Sequence, residues 1–133
     1  MAIIHRLAVQ GDFIMMTNAD CTLYLYDKST SGYHRHFIEG VYWNENKAGN
    51  VLKSGLVSAD SVAVYLYSDF VVPKNPTFDM IVKGSCPFEF DNTNEKTISD
   101  SVRKFKKEYD SFTIMSCDNK MFGGLPHIEL SAK

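Results

Sequence analysis

The sequence predicts a mainly β fold of α+β type: a small curled antiparallel sheet or barrel of about seven strands, with one helix in the C-terminal third. Three observations lead there. Several short runs alternate apolar and polar residues with a period of two, the pattern of half-buried strands. Nine Phe and seven Tyr suit the flat packing of a pleated surface. Only Thr97 to Tyr109 places its apolar residues at helical spacing. A chain of 133 residues has room for one core and no need of staples.

The elements follow in order. Residues 1–15 read as an N-terminal extension, and 16–133 as a single β-rich domain. The extension has apolar groups at Ile3-Ile4, Leu7 to Val9 and Phe13-Ile14 but no clear strand boundary. It is expected to be dispensable for folding, either as a translated leader or as an arm that docks on a neighbour. Cys21 to Tyr26 alternates Leu23 and Leu25 with Thr22, Tyr24 and Tyr26. The turn formers Asp27 to Gly32 then imply a hairpin. Tyr33 to Trp43 is a long strand with Gly40 inside it, which marks a bulge or sharp bend. Asn44 to Asn50 is a polar loop, and Val51 to Leu56 is short and ambiguous. Ser61 to Tyr67 is the clearest strand, with Val62, Val64 and Leu66 on one face.

Pro73 and Pro76 exclude the next segment from the middle of a sheet and make it an extended surface loop. Asp79 to Val82 is a short strand. In Thr97 to Tyr109, Ile98, Val102, Phe105 and Tyr109 recur at steps of four, three and four, one helical stripe. Thr97 and Asp100 resemble a capping box. Ser111 to Cys117 and His127 to Leu130 close the sheet around a tip at Met121 to Pro126. If the strands bearing Tyr24 with Tyr26 and Tyr65 with Tyr67 pair, these four rings make one aromatic face. The helix or another subunit would then cover it.

Chemistry is sparse. A net charge of −2 with no basic stripe argues against specific nucleic-acid binding, and Arg103 to Lys107 reads as a solvated helix face. Cys21, Cys86 and Cys117 are odd in number and widely spaced, which suggests neither a disulfide framework nor a zinc knuckle. No apolar run is long enough to span a membrane, and the start lacks a signal-peptide core. His34-x-His36 is the one pattern with metal-ligand spacing, and Glu39 downstream invites a cupin-like metal site. Two residues separate His36 from Glu39, and on a regular strand Glu39 points away from both imidazoles. A solvated or interfacial strand face is the competing reading. Cys117 and His127 could meet across adjacent strands, but Asp118 opposes a thiolate. No cofactor and no catalytic group is expected. Trp43 reads first as a core anchor, with Tyr42 facing the other way; both are also candidates for an interface.

Three groups of residues carry a resemblance. The first is Met16-Thr17-Asn18-Ala19-Asp20-Cys21-Thr22-Leu23-Tyr24. The second is Gly40-Val41-Tyr42-Trp43 with Asn46-Lys47-Ala48, Lys53-Ser54-Gly55-Leu56 and Ala59-Asp60-Ser61-Val62. The third comprises Ile81-Val82-Lys83-Gly84, Ser116-Cys117-Asp118, Phe122-Gly123 and Leu125-Pro126-His127-Ile128-Glu129-Leu130. In this order they resemble a family of small proteins encoded among the structural genes of tailed bacteriophages. The chain departs from that pattern at Ser131-Ala132-Lys133, where a glycine is expected before the lysine.

The family is similar to the β-barrel stopper or connector proteins of the head–tail neck. The resemblance implies virion assembly through protein–protein contacts, with neck or portal proteins as partners and a homo-oligomeric ring in the particle. It implies location in the host cytoplasm during assembly and then in the virion. Contacts are expected at Tyr42, Trp43, Asn46, Lys47, Pro73, Pro76, Phe122, Gly123 and Leu125. The alternatives are a small phage-encoded inhibitor of a host or defence protein, and the cupin-like metalloprotein.

Overall fold

A computed structural model describes residues 6–10, 13–46, 61–68, 72–120 and 126–133. The order is β1 (Arg6–Gln10), β2 (Phe13–Thr17), β3 (Ala19–Asp27), β4 (Gly32–Asn46), β5 (Ser61–Leu66), β6 (Met80–Lys83), α1 (Glu95–Glu108), β7 (Ser111–Lys120) and β8 (His127–Ala132). Six strands close an antiparallel barrel in the order β3-β4-β5-β8-β7-β6. β1 and β2 form a separate two-stranded sheet, so the segment with no clear strand boundary in the sequence is a hairpin. Residue 16 lies inside β2, paired with Leu7. Among the described residues no helix is long and apolar enough to cross a membrane.

The period-two pattern of β3 conceals burial on both faces, because Cys21, Thr22, Leu23 and Tyr24 are all at most 1% exposed. Cys21 and Leu23 join Val41, Trp43, Val64 and Leu130 inside the barrel. Tyr24 lies outside it, beneath α1 and the segment after β6, with Met80, Cys86 and Phe105. The helix carries the expected stripe: Phe105 is fully buried, and Ile98, Val102 and Tyr109 pack around it. The Phe105 ring lies 4.8 Å from Tyr24, 5.2 Å from Phe88 and 5.3 Å from Phe90. These tilted and edge-on rings form a second, aromatic core.

The expected helix cap is corrected. Asn94 caps α1, and Thr97 is the third helical residue, not the cap. Asn94 Oδ1 accepts from Thr97 N at 2.9 Å, and Asn94 N donates back to Thr97 Oγ1 at 2.9 Å. The reciprocal pair satisfies two otherwise orphaned donors, while Asp100 pairs with Arg103 instead.

The expected bend at Gly40 is present. Ala19 faces Val41 but Cys21 faces Ile38, so β4 carries one extra residue there. Gly40 adopts φ +74°, a backbone that residues with a Cβ rarely hold, and its N–H donates to Asp20 Oδ1 at 2.9 Å.

Two further expectations change. β3 and β5 do not pair, because β4 stands between them, so the four tyrosines form no single face. Tyr24 and Tyr26 belong to the covered cluster, whereas Tyr65 packs with Tyr42 elsewhere on the barrel. Pro73 is buried rather than on the surface, while Pro76 is exposed.

Because Phe105 contacts four other rings and has no exposed surface, Phe105→Ala is expected to lower unfolding free energy by about 3–5 kcal/mol. Chemical denaturation measures it. A loss below about 1 kcal/mol, less than any fully buried aromatic should give, shows that the helix does not pack as described.

Candidate interaction surfaces

The polar chemistry of this barrel begins where its strands run out of partners. Unpaired backbone groups near the core must find another donor or acceptor, and here single side chains serve. Asn92 receives Tyr33 N on Oδ1 and donates from Nδ2 to Tyr33 O, both at 2.9 Å. Asn18 does the same for Trp43, at 2.7 and 2.9 Å. At Tyr26, Asp79 Oδ1 accepts the N–H at 2.8 Å and Asn75 Nδ2 donates to the carbonyl at 2.6 Å. Each carboxamide or carboxylate stands in for one residue of a missing strand. Gly32 is needed for one of them, since a Cβ there would lie 2.6 Å from Asn92 Cγ.

Asp79 is fully buried. Its Oδ2 also accepts Asn75 N at 2.9 Å. Burial raises its pKa, and the hydrogen bonds from Tyr26, Asn75 and Lys74 partly offset that rise. The same network fixes the segment that ends at Phe78, whose carbonyl accepts from Tyr33 Oη at 2.9 Å. Phe78 stacks on Tyr26 at 5.4 Å and is half exposed.

His34 and His36 sit opposite Leu25 and Leu23, and directly paired residues share a face. Both imidazoles therefore belong to the interior face, at the barrel mouth. A cleft of about 900 Å³ opens there, lined by Leu25, His34, His36, Val72, Lys74 and Asn75 among others. His34 Nε2 lies 3.0 Å from Thr30 Oγ1 and 3.8 Å from Asp27 Oδ2. Burial lowers the pKa of His36, and His34 lowers it further, so His36 is neutral at pH 7. Glu39 follows the inward-facing Ile38 and is exposed. No three His, Cys, Asp or Glu side chains converge as metal ligands among the described residues.

A second surface lies on the other face of β4. Tyr42 and Tyr65 are register partners with ring centroids 5.4 Å apart, and Tyr65 lies 4.6 Å from the His127 ring. Tyr67 belongs to this group: burial raises its pKa, and Tyr65 and Tyr42 add to the rise. Lys120 Nζ reaches Glu129 Oε2 at 3.1 Å beside them. These tyrosines are half-buried, and the patch borders the start of β8.

The other expected contact residues divide. Trp43 is 4% exposed, packed edge-on against Phe112 at 5.9 Å, with Nε1 donating to Glu45 Oε1 at 3.1 Å. Its ring faces the core, so Tyr42 alone of that pair reaches the surface. Asn46 ends β4. Lys47, Phe122, Gly123 and Leu125 lie outside the described residues. Cys117 pairs with Leu130 and Lys120 with His127, which places the thiol and the imidazole three ladder positions apart. Burial and Asp118 raise the Cys117 pKa, and Cys21 is pushed up to about 12 by burial. Neither is an activated thiol.

Asp79 gives a pH-dependent test. Its folded pKa is raised, so its contribution to stability is full below the unfolded value of 3.8 and is lost as pH rises through the folded value. Asp79→Asn removes that slope and sets an amide N–H against a backbone N–H. It is expected to cost about 1–3 kcal/mol at pH 7. The Tm difference between wild type and variant should widen in favour of wild type as pH falls from 7 to about 4. A difference that narrows over that range contradicts the raised pKa.

The chain matches no curated protein and no solved structure significantly. A family model described as a family of unknown function (DUF6751) matches residues 16–133. That span takes in the whole barrel, its helix and the side chains that complete its ladder, so the chain belongs to the DUF6751 family.

Proposed function

We propose that this protein is a virion-assembly component of tailed bacteriophages, of the head–tail connector type, that works through protein–protein contacts. The reading is supported by the ordered sequence resemblance over residues 16–133. One structural observation carries it further. The six barrel strands close on themselves, whereas the β1–β2 hairpin is a second sheet outside that ladder. Among the described residues β1 pairs only with β2. A two-stranded ribbon beside a closed barrel is poorly stable alone, and it offers backbone groups that a neighbour can complete by strand addition. The half-buried tyrosines at Tyr42 and Tyr65 add an aromatic surface of the kind that anchors interfaces.

The test is the particle. Mass spectrometry of purified virions is expected to find this chain in a fixed ratio to the portal protein. Electron microscopy of particles made without its gene is expected to show heads lacking tails. Normal, infectious particles without it overturn the proposal and favour an inhibitor directed at the host.

A further inference from the structure

β4 is 15 residues long and outruns one of its two partners. β5 pairs only with Tyr42 to Asn46, whereas β3 pairs along Gly32 to Val41. Over its first half, β4 is bonded to β3 on one edge. Along the other edge no strand pairs with it among the described residues. In an antiparallel ladder, alternate residues direct both backbone groups to the same side. Tyr33 sets the parity, since its N–H and C=O meet Asn92 rather than β3. Arg35 and Phe37 share that parity and turn their N–H and C=O to the open edge.

The edge has two natural ends. Asn92 occupies it at Tyr33, and the bulge at Gly40 interrupts it on the far side. Between them lie six residues, His34 to Glu39, roughly 20 Å of strand, and of these Arg35 and Phe37 offer the open backbone groups. Phe37, 39% exposed, stands in the middle as an apolar anchor.

We propose that this edge receives strand β1 of a second copy, so that each barrel holds the hairpin of its neighbour. The inference rests on the reading of the hairpin as an assembly arm and names the surface that accepts it. β1 has five residues, long enough to pair with both Arg35 and Phe37 in one register. Gln10 and Phe13 are register partners across the hairpin turn. The pair flanking a two-residue turn is hydrogen-bonded, so Leu7 and Val9 turn their amides away from β2. In its own molecule, the hairpin is held on the wrong side. β2 runs into β3 through Asn18, which bonds the backbone of Trp43 and donates from its N–H to Val41 O at 3.0 Å. That contact is on the β3 side of β4. Donor and acceptor are different surfaces, so the contact is heterologous and builds rings or filaments rather than closed pairs.

Two full-length variants test this by complementation. Val9→Pro removes an outward amide from the arm, and Phe37→Pro removes one from the accepting edge; neither amide serves a ladder among the described residues. By sedimentation velocity up to millimolar concentration, wild type is expected to self-associate and each variant alone to remain monomeric. An equimolar mixture should give a one-to-one complex and nothing larger, since only one arm and one edge remain. In wild type, amide exchange at Arg35 and Phe37 should slow at least about tenfold on association, a readout that needs no variant to fold. Monomeric wild type at every concentration, no complex in the mixture, or unchanged exchange at Arg35 and Phe37 overturns the proposal. Self-association with absence from virions would instead remove the connector reading and leave this contact standing.

Discussion

The two-sided burial of β3 is the constraint on which the rest of the molecule depends. A strand whose two faces are both apolar needs cover on each, and a six-stranded barrel supplies only one. The second cover is α1 with the segment from Gly84 to Phe90, and this explains why an otherwise all-β chain carries a helix. It also explains the polar details of the outer layer. Thr22 is fully buried, so its hydroxyl donates to Gly84 O at 2.8 Å and accepts from Cys86 N at 3.0 Å. The Tyr24 hydroxyl reaches Phe88 O at 2.7 Å. Arg35 Nε donates to Cys86 O at 2.6 Å. A segment without regular structure is thereby given the hydrogen bonds that a strand would have had.

Side chains also finish the sheet. Asn18, Asn92 and the pair Asn75 with Asp79 each saturate the backbone of one strand residue. This arrangement is more selective than another strand would be. A strand pairs with almost any sequence, but an Asn amide must meet one N–H and one C=O at fixed spacing. The price is steric, since Gly32 can carry no side chain where Asn92 approaches.

Much of the architecture was legible because its signals are local. Alternation in Cys21 to Tyr26 and Ser61 to Tyr67, the stripe Ile98-Val102-Phe105-Tyr109, and the glycine at 40 each announce their element within a few residues. Strand order was not legible, because nothing in Tyr24 or Tyr65 records that β4 lies between their strands. The helix cap was misplaced by three residues because Thr97 fits both roles, and only the direction of its hydroxyl decides. Asn75 and Asn92 are ordinary loop formers by composition, and Asp79 reads as the start of a short strand. Their real partners, Tyr26 and Tyr33, are 49 to 59 positions away, and no periodicity encodes a contact of that range. His34 and His36 share a face, as their spacing requires, yet only the pairing with Leu25 and Leu23 shows that this face is the interior.

The place of β8 has a consequence for how the chain reaches this state in a cell. It inserts between β5 and β7, although β5 is synthesised far earlier. While the ribosome makes the residues from Tyr67 to Pro126, β5 has only β4 beside it, and its other edge waits. That edge carries Val62, Val64 and Leu66, all destined for the core. The nascent chain therefore exposes an apolar strand edge for the time needed to add some sixty residues, several seconds at elongation rates of about 5–20 residues per second. Until β8 emerges, an intermolecular strand can take its place, so yield at high expression depends on the speed of translation and on chaperones that shield that edge.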